Sequence, residues 1–205
     1  MTAPPWAPPA DLGLSKFEIA PEGVFVRIFE GRHRDPLGSR RPAAYRFGCP
    51  PGLPEDRQFG VVYLAEDLET AFLEAVVRER YVGVPGELVL ALDEIRSKEV
   101  ALVATRGPLR LLDLTGTSYV RLRLPRAALE GNDHLPSQTI SAALHAHPEA
   151  PDGILYPSRF GGGRTSNIAV YDRAVARLRC VARVRLERMR GLAAIRRKHR
   201  IIVAK

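Results

Sequence analysis

The sequence predicts a single α+β domain, and three observations carry that reading. The chain has 205 residues and 22.6 kDa, near the upper end of what one hydrophobic core normally serves. Its 45% hydrophobic and 26% charged residues are the proportions of a folded protein with a core of its own. Short β-branched and aromatic runs cluster together with only two or three helical stretches, without the regular strand–helix alternation of a parallel sheet.

Residues 1–15 (MTAPPWAPPADLGLS) are crowded with Pro4, Pro5, Pro8 and Pro9 and read as a flexible lead-in outside the fold, leaving 16–205 as the domain. Residues 24–29 (VFVRIF) form a strand interrupted only by Arg27. Residues 31–59 are dense in Gly, Pro and Arg, too irregular for a long element, and loops of that length in compact domains are commonly functional. FGVVYLA (59–65) is the next strand. Asp67 stands where it would cap a helix running through Arg80, whose Leu68, Ala71, Phe72, Ala75 and Val76 recur at helical spacing. Residues 87–92, 100–103 and 109–114 read as strands of a meandering sheet, and 136–145 as a helix. DGILY (152–156) and NIAVY (167–171) are short strands around the glycine-rich SRFGGGRTS connection. Residues 178–186 alternate apolar residues with Arg as an exposed edge strand does, and 200–204 close the chain with a last strand.

Several classes of protein are excluded or disfavoured. No apolar run approaches the roughly 18 residues of a membrane span. The N-terminal prolines do not fit the apolar helix of a signal peptide, and Cys49 and Cys180 are too few for a disulfide framework, so a cytoplasmic protein with reduced thiols is expected. The five histidines are scattered and the zincin, nucleophile-elbow and P-loop signatures are missing, so no metal is expected. The net charge of +8 is uneven. Residues 173–205 carry twelve Lys/Arg against the single Glu187, while the preceding residues carry a net −3. Such a basic region suits a solvated edge, an acidic partner, phosphate ligands or nucleic acid.

Three polar residues stand where the pattern prefers apolar ones: Arg27 inside a strand, Glu74 flanking the helical stripe, and Ser158 just past a strand end. With their surroundings they spell VRIFEG…RDPLG…YRFG, then FGVVYLAEDLETAFLEAV, then DGILYPSRFGGGRTSNIAVYD. In that order the series resembles the RES domain family, named for its Arg, Glu and Ser, over roughly residues 24–172. Many members have Arg-Trp where this chain has Arg46-Phe47.

The resemblance implies the fold of the ADP-ribosyltransferases, a split, mainly antiparallel β-sheet flanked by a few helices, with NAD as substrate in the cleft between the halves. It also implies a toxin that depletes NAD, neutralised by a helix-turn-helix (Xre-type) antitoxin. The chemistry asks for the residue types present. Cleaving the nicotinamide–ribose bond passes through an oxocarbenium-like state that a carboxylate stabilises, and Glu74 is the candidate. Arg27 and Arg46 suit the pyrophosphate, since a planar guanidinium grips phosphate oxygens in pairs. Tyr63 offers an aromatic wall for nicotinamide, Ser158 a hydroxyl for ribose or phosphate, and Asn167 a brace for the adjoining loop.

Residue types alone leave rivals. Glu69 and Glu79 share the helix with Glu74, and Arg32, Arg34, Arg40, Arg41 and Arg57 share the basic loop with Arg46. The acceptor stays open between water, inorganic phosphate and a protein side chain. The last would make the chain a mono-ADP-ribosyltransferase. From another class, the basic C-terminal region allows a non-enzymatic nucleic-acid-binding protein, although it lacks an aromatic-interleaved motif and direct nucleic-acid binding is not expected. A toxin–toxin interface, giving a homo-oligomer, is a further use for that region.

Overall fold

The architecture, seen in a computed structural model, is described for residues 6–18, 24–39, 41–42, 45–125, 128–129, 131–160 and 164–205, except for the side chain of Glu79. Ten strands are present among them: β1 (Ser15–Phe17), β2 (Phe25–Glu30), β3 (Val61–Ala65), β4 (Leu88–Ala91), β5 (Lys98–Thr105), β6 (Leu109–Asp113), β7 (Gly153–Pro157), β8 (Ser166–Tyr171), β9 (Leu178–Arg185) and β10 (Ile201–Ala204). The helices are α1 (Leu68–Phe72), α2 (Leu92–Arg96), α3 (Ser118–Arg121), α4 (Leu135–His145) and α5 (Leu192–Lys198).

Eight strands make one sheet in the order β1-β6-β7-β8-β3-β2-β5-β9. Neighbours run antiparallel except β6 and β7, which are parallel because the connection between them crosses over through α3 and α4. The α+β class and mainly antiparallel sheet expected from the sequence are present, but the strand order is no meander. The strands read at 87–92 and 200–204 also leave the large sheet, as β4 and β10 pair parallel in a small sheet of their own.

The centre of the large sheet is where it opens. β2 pairs with β5 along its whole length and β3 does the same with β8, yet β2 and β3 meet only at Val26↔Ala65. The sheet therefore divides into β1-β6-β7-β8-β3 and β2-β5-β9, hinged at that pair.

Side-chain alternation sorts the core by face. Phe25, Phe29, Val62, Leu64, Val103, Leu109, Leu111 and Ile168 share one cluster, although β5 and β6 lie far apart in the sheet order, so the sheet curls around them. The opposite face is covered in two places. Ile140 and Leu144 of α4 pack with Val61, Ile154 and Tyr171, while Phe72 and Val76 pack with Val26, Val100, Ile195 and Ile201.

The N-terminal lead-in needs correction. Residues 1–5 lie outside the described residues, but 6–14 are part of the packing. Leu12 is fully buried, the Trp6 indole N–H donates to the Leu122 carbonyl at 2.8 Å, and β1 opens one edge of the sheet. Proline content masked this, because the anchoring groups are single apolar residues with no periodicity to reveal them.

Candidate active site

The helix that carries Glu74 starts as the sequence predicts. Asp67 has extended backbone and its carboxylate accepts the Thr70 amide N–H at 2.6 Å, satisfying one of the donors left open at a helix start. The regular α-helix then stops at Phe72, not Arg80. Residues Leu73–Val77 form a π turn, and the chain leaves it at Arg78 with φ +51, a left-handed conformation uncommon for a residue with a side chain. Apolar spacing is nearly the same through an α turn and a single π turn, so periodicity did not show the break. The π turn holds Glu74 between buried Leu73 and Val76 and turns it toward β7 and β8.

Three of the expected site residues meet there. Glu74 Oε1 accepts from Ser158 Oγ at 3.0 Å and from Asn167 Nδ2 at 3.1 Å. Ser158 follows the end of β7 and Asn167 lies in β8, paired with Tyr156 and Ala65 in the register next to the hinge. The Ser158 amide donates to Thr165 O and Phe160 N–H donates to Ser158 Oγ, so the strand-to-strand connection is tied at its neck. Gly161–Gly163, the glycines read as a possible phosphate cradle, lie outside the described residues. Asn167 thus braces the carboxylate itself. Both bonds fall on one oxygen, and Oε2 accepts none among the described residues.

Arg46 is 8% exposed. Its Nη1 donates to Leu129 O at 2.5 Å, while Nη2 is a buried donor with no partner among the described residues. Burial lowers its pKa, Arg159 adds to that, and Tyr156, Glu74 and Tyr63 act against it, so Arg46 shares the electrostatic neighbourhood of Glu74. Tyr63 is half-buried against the core, its hydroxyl accepts the Phe47 amide N–H at 3.0 Å, and burial holds its pKa well above the usual tyrosine value. Phe47, in the place of the common tryptophan, is fully buried with its ring 4.7 Å from that of Tyr156.

Arg27 stands apart from this group. It alternates with Val26 and Ile28, which pack on the helix side, and shares the side of Phe25 and Phe29. Its Nη2 donates to Gly38 O at 2.8 Å, its buried Nη1 has no partner among the described residues, and burial lowers its pKa to about 10 against the pull of Asp35 and Tyr45. It remains charged at neutral pH. Tyr45 is the link. Its ring is 54% exposed, lies edge-to-face with Tyr63 at 6.1 Å, and carries the Arg78 guanidinium 5.6 Å from its centroid.

Two of the rivals are otherwise engaged. Glu69 accepts from Lys198 at 2.7 Å and His199 at 2.6 Å, and Arg41 pairs with Asp172 at 2.5 Å, while Arg40 and the Glu79 side chain lie outside the described residues. Among the described residues no three His, Cys, Asp or Glu side chains gather as a metal site, and no helix is long and apolar enough to cross a membrane.

The RES domain model matches residues 24–189, four-fifths of the chain and both halves of the split sheet. The chain belongs to the RES domain family. This RES domain is 37% identical over 102 residues to the probable toxin y4kH of Sinorhizobium fredii, an alignment covering 50% of this chain and 79% of the relative. Its fold is similar to a chain of the M. tuberculosis MbcT–MbcA toxin–antitoxin complex, with a TM-score of 0.63, 19% identity and 91% of each chain covered. That likeness concerns the fold, and with it the curled, mainly antiparallel sheet.

Sequence reasoning about the RES domain did not single out Tyr45, Arg78 or Tyr156 as site residues. Tyr45 adjoins Arg46 in the YRFG run and was legible as a neighbour of the motif. Arg78 carried no signal, because what sets it apart is a backbone conformation.

Proposed function

We propose that this RES domain is a toxin that cleaves the bond between nicotinamide and ribose in NAD. The observation that supports the reading best is the Glu74 carboxylate, held at one oxygen by Ser158 and Asn167 beside the opening of the sheet. A fixed carboxylate with a second oxygen left over suits a reaction in which positive charge develops on a sugar carbon.

The chemistry balances without a general acid. Nicotinamide is already cationic in NAD, so when the glycosidic bond breaks its electron pair passes to the ring nitrogen and neutral nicotinamide leaves. The ribose carbon takes on oxocarbenium character, which the anionic Glu74 stabilises and the neutral Ser158 and Asn167 do not oppose. Water or inorganic phosphate then adds its oxygen to that carbon, giving ADP-ribose or its phosphorylated form, with one proton released. Arg46 Nη2 and Arg27 Nη1, buried donors with no partner among the described residues, are suited to phosphate oxygens. Tyr63, locked by Phe47 and the core, gives the ring of the substrate a fixed neighbour.

The nucleic-acid reading loses ground because part of the basic C-terminal charge is paired internally. Arg177 pairs with Asp152 at 2.5 Å, Lys198 with Glu69, and Arg183 pairs with Glu99 while donating to the carbonyls of Gly31, His33 and Arg34. A toxin requires a neutralising partner, and the MbcT–MbcA pair supports a cognate antitoxin, which we propose to be of helix-turn-helix type. The test is loss of NAD in the presence of the purified protein, with and without phosphate, beside folded Glu74→Gln. Wild-type consumption lost in the variant supports the reading, and dependence on phosphate names the acceptor. Radiolabel retained on a protein would favour transfer instead.

A further inference from the structure

We propose that Arg78 is a substrate-gripping residue parked on Tyr45, which moves from the tyrosine ring to a phosphate of the bound dinucleotide. The inference rests on the NAD reading above and adds a binding residue to it.

Two independent observations carry it. The first is backbone strain. Arg78 has φ +51, which a residue with a Cβ adopts at a cost, and its ψ of −134 suits glycine. Such a conformation persists only where surrounding structure enforces it. Here it ends the π turn that carries Glu74 and sets the Arg78 guanidinium over the ring of Tyr45, which lies next to Tyr63. The second is the partner. Among the described residues the Arg78 guanidinium has no carboxylate, and its contact is the face of Tyr45, a ring that is 54% exposed. A cation resting on a solvent-exposed ring is weakly held, and exchanging that contact for a doubly charged pyrophosphate is favourable.

The location fits the exchange. Tyr45 immediately precedes Arg46 and contributes to the electrostatic surroundings of Arg27, and among the described residues each of these two arginines has a buried donor with no partner. Arg78 supplies the third guanidinium on the open side, where it is mobile enough to follow the ligand in and out. When it leaves, the Tyr45 ring face is freed for the substrate. A mere helix-ending residue in this position would gain from being glycine and would need no charge.

The test measures binding in the Glu74→Gln background, which spares the ligand, by calorimetry with NAD and with nicotinamide riboside, which lacks the pyrophosphate. Arg78→Ala is expected to weaken NAD binding at least about tenfold and to leave nicotinamide riboside within about twofold. Arg78→Lys is expected to recover only part of the loss, because a single ammonium lacks the planar fork. Arg78→Gly is the decisive companion. It should melt about 2 °C higher than its parent as the backbone strain is relieved, yet bind NAD as poorly as Arg78→Ala. NAD affinity unchanged in all three variants overturns the role of Arg78 while leaving NAD as the ligand. Equal losses for NAD and nicotinamide riboside also overturn it, since a phosphate contact cannot act on a ligand without the pyrophosphate. No NAD binding by the parent removes the proposal together with the reading beneath it.

Discussion

Glu74 is distinguished from Glu69, five residues earlier, by its partners. Two neutral donors, Ser158 Oγ and Asn167 Nδ2, converge on one oxygen, and among the described residues no cation forms an ion pair with this carboxylate, whereas Glu69 is paired with Lys198 and His199. Removing one donor should therefore misplace the carboxylate without abolishing it. Ser158→Ala and Asn167→Ala are each expected to reduce kcat for NAD cleavage by about tenfold to a hundredfold with melting temperatures little changed, as steady-state kinetics and thermal melts will show. Glu74→Gln should cost more than either, since it removes the charge. Glu74, Ser158 and Asn167 were singled out through the family motifs in which they stand, since residue types alone left Glu69 and Glu79 as rivals, and the structure brings the three together. Tyr45 was legible only as the neighbour of Arg46 in the YRFG run, and Arg78 was not legible, because a backbone conformation leaves no trace in residue spacing.

At the scale of elements, the site depends on a helix start and a strand crossing. The capping of α1 by Asp67 was readable from the residue preceding the apolar stripe, and Asp67→Ala is expected to lower stability by about 1 kcal/mol in a denaturant titration. The close approach of β7 to β8 was not readable. A Cβ on Gly153 would fall 2.2 Å from the Ala169 carbonyl oxygen, so Gly153→Ala must push apart the two strands that present Ser158 and Asn167. We expect a loss of about 2 kcal/mol, seen as a lower midpoint of unfolding, together with reduced NAD turnover. The edge strand β9 was visible in its alternation of apolar residues with Arg, which the burial of alternate positions matches. The short α5 escaped notice within a basic segment, yet Leu192 and Ile195 pack with Phe72 and Val76 and so support the helix of Glu74.

For the whole molecule, the decisive feature is a sheet that opens between β2 and β3, and composition could reveal the α+β class but not that opening. Strand order depends on which edges meet in space, and only the family resemblance carried the expectation of a split. Stability of the whole should depend on acid through a histidine outside the site. The His145 ring stacks on Phe59 at 4.2 Å, and burial, followed by Arg173, lowers its pKa from the ordinary 6.5 to about 4. Between those values the unfolded chain binds the proton and the folded chain does not, so stability falls as pH drops from about 6.5 toward 4 and is unaffected by this group above that window. Thermal melts across that range should show a slope that His145→Gln reduces.

On the function proposed above, the opening of the sheet binds NAD and Glu74 drives its cleavage. The most direct measurement is nicotinamide release from NAD by the purified wild-type protein and by Glu74→Gln, each verified as folded. The account predicts release by the wild type and a fall of at least about a hundredfold in the variant with NAD binding retained. Equal release by both proteins, or none by the wild type with or without phosphate, would contradict it.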